Sequence, residues 1–199
     1  MSLEHVLQVG SVSMAGRKPV NQDACNSKVT ADVALISIAD GVSSCQHPLE
    51  ASTTAVTQMQ ARFFEVMDAH QFDALRISEA CEAGVHRANE ALYFAELPGT
   101  ELHGHANAML STLAALVVTR RRARVITVGD SRVYRFHQNR LHQLSLDQRD
   151  SEGRLNCLLG QQNQVRARFK DQLLTPGEIY LLCTDGVHDY LADEDIAAF

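Results

Sequence analysis

The chain has 199 residues and a formal net charge of -6, a length that suits one domain and a charge that argues against general nucleic-acid affinity. It is 45% hydrophobic and 21% charged, the balance of an ordinary soluble globular protein, and no apolar run approaches the ~20 residues needed to cross a bilayer. The five cysteines, Cys25, Cys45, Cys81, Cys157 and Cys183, are odd in number and form no CxxC pair, so neither a zinc site nor a disulfide framework is indicated. Reduced thiols fit best, and MSLEHVLQVG has no basic-then-apolar leader pattern. The expectation is a soluble cytoplasmic protein with no membrane or nucleic-acid partner.

In chain order, HVLQVGSVS, 5–13, is the first strand candidate. AGRKPVNQD follows as a turn region punctuated by Gly16 and Pro19. VALISIA, 33–39, is a short apolar run that reads as a buried strand ending at Asp40-Gly41. Leu49, Thr53, Val56, Met59, Phe63 and Met67 then recur at helical steps, as do Ile77, Cys81, Val85, Ala88 and Leu92. Each set predicts a helix with one apolar face that covers a sheet. LPGTELHGHANA, 97–108, reads as a loop, in which His103 and His105 lack the further ligands of a zinc site. STLAALVVT, RARVITVGD and RVYRFHQNRLHQLS read as successive antiparallel strands, with turns at RRR and HQNR. The basic run TRRRAR, 119–124, is then a solvated hairpin turn. VRARFKD, 165–171, is a further strand, and TPGEIYLLCTD is a turn and a strand ending at Asp185. DEDIAAF opens a helix with acids in its first turn. Segregated helices and meandering strands predict an α+β layered protein.

Four acids stand out by position. Asp23 lies in NQDA, Asp40 ends ALISIAD, Asp130 ends VITVGD and Asp185 ends YLLCTD. Carboxylates at the ends of buried strands are costly without counter-charge, and several meeting at one sheet end repel unless cations lie between them. Hard divalent ions take such oxygen ligands. The glycine after Asp40 lets backbone approach closely and offers a carbonyl. A single Asp-Gly is most simply a turn; two of them, with VGDSR and NQDA, are less easily explained as turns.

GRKPVNQDA, IADGVSS, VITVGDSRVYRF and LLCTDGVHDYLADEDI resemble the successive motifs of the metal-dependent protein phosphatases, or protein phosphatase type 2C, above all their bacterial branch. The resemblance implies a four-layer α-β-β-α sandwich of two antiparallel sheets flanked by helices. It implies a two-ion Mn²⁺ or Mg²⁺ centre, with Asp40 bridging both ions, the Gly41 carbonyl on one, Asp185 on one, and Asp23 on the other directly or through water. In bacterial relatives a third, weaker ion involves the acid at Asp130 together with Asp185. An arginine before NQD holds the substrate phosphate, which points to Arg17, with Lys18 as the competitor in an ambiguous register. The implied activity is hydrolysis of phosphoserine and phosphothreonine by metal-activated water, opposing a bacterial Ser/Thr kinase, with a phosphorylated protein, such as a kinase or its target, as partner. No cysteine is needed, so Cys25 and Cys45 read as packing residues. His188, three residues after Asp185, is a candidate proton donor to the leaving oxygen.

Two departures qualify that picture. The family's closing strand carries an Asp-Asn pair whose Asp completes the first metal site, and nothing up to Phe199 matches it. The expectation is a phosphatase-like domain over 1–199 that lacks this strand. It raises an alternative function, a non-catalytic domain that binds a phosphoprotein or kinase. Before the central strand, Leu110 stands where the family has Gly, while Ser111 and Thr112 keep the small hydroxyls.

Overall fold

The computed structural model describes residues 2–3, 6–68, 74–95 and 109–198. Central strands buried on both faces are apolar at nearly every position. That is the pattern of β2 (Val33–Asp40) and β3 (Leu113–Thr119); with β4 (Arg122–Val128), which carries Arg122 and Arg124 in its first half and is buried from Val125 on, they form the middle of a sheet. With β1 (Asp23–Val29) and β7 (Arg168–Leu173) they make a five-stranded antiparallel sheet in the order β1-β2-β3-β4-β7. A second antiparallel sheet has the order β6-β5-β8, from β5 (Arg132–His137), β6 (Arg140–Gln143) and β8 (Ile179–Cys183).

Alternation along the central strands sorts side chains into two cores. Val33 and Leu35 of β2, Leu113, Ala115 and Val117 of β3, and Ile126 and Val128 of β4 face α1 (Pro48–Asp68) and α2 (Ala74–Tyr93). Ala34, Ala114, Leu116, Val118, Ala123 and Val125 point the other way, onto Val133 and Leu144 of the second sheet region. The result is an α+β sandwich of two antiparallel sheets, with the long helices outside the larger one and the short α4 (Asp193–Ala198) against β6.

Several sequence expectations are corrected here. The 6–13 part of the first candidate strand belongs to no ladder among the described residues; Val9 and Val12 are exposed, and Ser13 meets the start of β1 through its side chain, its Oγ donating to the Asp23 carbonyl at 3.5 Å. The first paired strand is Asp23–Val29 instead. On α1 the buried stripe runs through Ala51, Ala55, Val56, Met59, Phe63 and Met67, while Leu49 is exposed. Small residues let the helix start close over the end of β2. The stripe expected on α2 is buried as read. The run from 113 to 143 is not one meander: β3 and β4 pair, but β5 belongs to the second sheet. The chain crosses at Gly129, whose φ of +91° a side-chain-bearing residue rarely adopts. Both hairpin turns form where expected, the second with Gln138 and Asn139 at φ 50° and 57°, the left-handed pair of a tight two-residue turn. His103 and His105 lie outside the described residues.

Candidate metal centre

Strand register brings the first two acids together. In the β1–β2 ladder Asp23 and Asp40 are direct cross-strand partners. Gly41 continues the line: its N–H donates to the Gln22 carbonyl at 3.0 Å, and a Cβ there would lie 1.8 Å from the Pro48 carbonyl oxygen. Only glycine fits, because the start of α1 presses onto this backbone. The end of β8 arrives from the other sheet. Thr184 donates its hydroxyl to Asp23 Oδ2 at 3.0 Å, which places Asp185, first residue of α3 (Asp185–His188), beside the pair.

The electrostatics follow from that convergence. Burial first, then a hydrogen bond that only protonated Asp40 can give Asp23, then the charges of Asp23 and Asp185, push the Asp40 carboxyl up to about 8. Lys18 opposes the shift. Asp40 Oδ1 is buried with no hydrogen-bond partner among the described residues. A buried, unsatisfied oxygen among like charges fits a hard cation, which would supply both the missing partner and the counter-charge. Among the described residues, however, no three Asp, Glu, His or Cys side chains stand in a ready-made ligating arrangement.

The backbone of Asp40 is gripped independently of its side chain. Its N–H donates to Thr112 Oγ1 at 2.9 Å, and its carbonyl accepts from Ser111 Oγ and from the Thr112 N–H, both at 2.9 Å. Thr112 Oγ1 lies 2.7 Å from Ser131 Oγ, and both hydroxyls are buried. The small hydroxyls of STL and GDS thus lock two strand ends together. The sequence signal for Ser131 was its adjacency to Asp130, and for Thr112 the small hydroxyls that the family resemblance picked out at Ser111 and Thr112.

Asp130 sits at the rim of the same cluster, within the field of Asp185 and His188. It is 4% exposed, and Arg149 donates to its Oδ2. Burial raises its carboxyl, and Arg149 works against that. Gln148 fixes the corner, giving its side-chain oxygen to the Gly129 N–H at 2.8 Å. Sequence reasoning missed Arg149 because DQRD carries no recognisable spacing to GDSR.

The two candidate phosphate-holding residues part company. Lys18 donates to Gln22 Oε1 at 3.2 Å and to Ser43 Oγ at 3.0 Å, within the field of Asp40. Arg17 is exposed and makes no hydrogen bond or ion pair among the described residues. His188 has 1% of its side chain exposed, and both ring nitrogens lack a hydrogen-bond partner among the described residues. The ring is enclosed, with Nδ1 3.2 Å from Asp189 Oδ1 and its charge felt by Asp130. Cys25 is exposed on β1 and is not a packing residue; Cys45 is half-buried, with its thiol raised by burial.

The fold is that of solved serine/threonine phosphatases. The serine/threonine phosphatase of S. agalactiae superposes with a TM-score of 0.75 at 23% identity, covering 94% of this chain and 82% of that one. Stp1 of Staphylococcus aureus gives 0.77 at 18% identity, covering 96% and 83%. The catalytic domain of PstP in complex with two manganese ions gives 0.66 at 24% identity, covering 91% and 78%. A comparison with curated protein sequences found no match. Residues 12–199 match the family described as protein phosphatase 2C, and the chain belongs to that family.

Proposed function

We propose that this chain is a Mn²⁺- or Mg²⁺-dependent phosphatase acting on phosphoserine or phosphothreonine in proteins, and that it opposes a Ser/Thr kinase. One observation carries the reading: the buried Oδ1 of Asp40, without a hydrogen-bond partner among the described residues and crowded by Asp23 and Asp185. Membership in the 2C family supports it. So does the two-manganese complex of a similarly folded phosphatase domain.

Asp23, Asp40 and Asp185, with the Gly41 carbonyl, are the groups that would hold two ions; Asp130 with Asp185 would hold a third. Bound there, the ions would acidify water near neutral pH and offset phosphoryl charge. The rest falls to the chain. Ser111 and Thr112 fix the Asp40 backbone, and Thr184 orients Asp23. Lys18, whose charge acts on Asp40, would meet a phosphate oxygen. Arg17, free and one residue away, is the second cation for the phosphate and has the fork geometry that suits it. Water is the nucleophile in this reading, so no thiol takes part.

A second reading has its own observation. Arg149 already neutralises Asp130, as suits a phosphatase-like domain that binds a phosphoprotein or kinase without turnover. Release of phosphate from a phosphothreonine peptide, with and without Mn²⁺, tests the first reading. Mn²⁺-dependent turnover that disappears in Asp40→Asn supports it. A folded wild-type chain that binds the peptide but releases no phosphate supports the second.

A further inference from the structure

The basic hairpin has more to do than turn. At the end of the larger sheet away from the acids, Arg120, Arg121, Arg122 and Arg124 border a cavity of about 460 Å³. Its other lining residues are Asp32, Ile77, Val117, Thr119 and Asp171. Ile77 and Val117 are buried core residues and give it an apolar floor. The volume lies in the range of small-molecule sites, roughly 300–1,000 Å³. From Thr119, at the cavity, β3 runs to Leu113, next to the Ser111–Thr112 grip on Asp40. Six strand steps separate the two sites by roughly 20 Å.

The charges are unequally committed. Arg124 grips Asp171 with two hydrogen bonds of 2.7 Å and donates to Ser78 Oγ at 2.6 Å. Arg120 pairs with Asp32 at 3.0 Å. Both acids of the lining are therefore already neutralised. Arg121 and Arg122 are exposed and make no side-chain hydrogen bond or ion pair among the described residues. Four arginines against Asp32 and Asp171 leave this apolar-floored cavity with an excess of positive charge in a chain of net charge -6, although Arg122 also lies within the field of Asp171. Guanidinium forks match phosphate oxygens in pairs, and an adjacent pair suits a dianion better than a single carboxylate. The geometry points to a second ligand site here, for a phosphorylated small molecule of about nucleotide size, with its phosphates on Arg121 and Arg122 and its apolar body over Ile77 and Val117. This site is independent of the acid cluster and of the reaction proposed for it.

ADP is a suitable probe, titrated calorimetrically into the full chain at low salt with EDTA present, so that no divalent ion can recruit it to the acids. The expected result is saturable one-site binding that weakens at least about tenfold in the double variant R121E/R122E and is unchanged in Lys18→Ala. Because both arginines are exposed, the double variant should melt with the wild type, which separates lost binding from lost fold. Adenosine, with the same body and no phosphate, should bind at least about tenfold more weakly than ADP. Absence of saturable ADP binding would overturn the assignment. Binding that survives the charge reversal, or that is lost in Lys18→Ala, would overturn it as well.

Discussion

Replacing Asp40 by Asn should stabilise the metal-free protein, and only at high pH. The carboxyl of Asp40 is raised from 3.8 to about 8, first by burial and then by Asp23 and Asp185. The folded chain therefore holds this proton more tightly than the unfolded chain does. The sign follows: the group's contribution to stability is full below about pH 4 and is lost as pH rises through about 8. Four units at about 1.4 kcal/mol each set a ceiling of about 6 kcal/mol. Water entry and separation of the carboxylates will relieve much of that. A gain of about 1–3 kcal/mol is expected, the usual cost of one unsatisfied buried group. For a chain of this size each kcal/mol moves the midpoint by roughly 2–4 °C. Thermal melts in EDTA at pH 5 and pH 8 provide the assay. Asp40→Asn should melt several degrees above wild type at pH 8 and close to it at pH 5. An Asn variant less stable than wild type at pH 8, or one equally stabilised at both pH values, would refute the account of this cluster.

Gly41→Ala should cost at least about 2 kcal/mol and abolish phosphatase activity, since its Cβ meets the Pro48 backbone and displaces Asp40; chemical denaturation and peptide turnover check the two effects. Arg149→Gln leaves the carboxylate of Asp130 buried without a cation and should destabilise the metal-free chain by about 1–3 kcal/mol, measured by urea unfolding. If Lys18 meets the substrate phosphate as proposed, Lys18→Ala should lower kcat/KM for a phosphothreonine peptide by about ten- to a hundredfold without changing the melting temperature, since the residue is exposed. Phe63→Ala, in the core under α1, should cost about 3–5 kcal/mol in equilibrium unfolding.

The parts of the fold that were legible in the sequence are those where one residue's environment is set by its neighbours in the chain. The runs at 33–39 and 113–119 are apolar because both faces are buried, and a short run of that kind is legible without knowing its partners. The α2 stripe was legible for the same reason. The α1 stripe was misread in its first turns because close packing there favours Ala51 and Ala55 over the larger Leu49 and the branched Thr53, and burial of alanine leaves little periodic signal. The strand expected over 5–13 has the composition of one, but a ladder depends on a partner that local pattern does not reveal. The jump from β4 to β5 was hidden because a glycine in a left-handed conformation looks, in sequence, like any turn.

Within the site, four acids could be picked out one by one, and the register of β1 with β2 explains why Asp23 and Asp40 meet. Their supports could not be. Thr184, Thr112, Ser131 and Arg149 act through hydrogen bonds spanning 19 to 161 positions of the chain. Choosing between Arg17 and Lys18 likewise depends on side-chain direction, which their adjacency in sequence leaves open.

The central claim is that Asp23, Asp40 and Asp185 converge to hold divalent cations. Calorimetric titration of the metal-free protein with Mn²⁺ at pH 8, in two buffers of different ionisation enthalpy, tests it most directly. The account predicts saturable binding of two ions, a net release of protons as the Asp40 carboxyl ionises, and loss of at least one ion in Asp40→Asn. A folded wild-type chain that takes up no Mn²⁺, or an Asp40→Asn variant that binds it as tightly and with the same proton release, would contradict it.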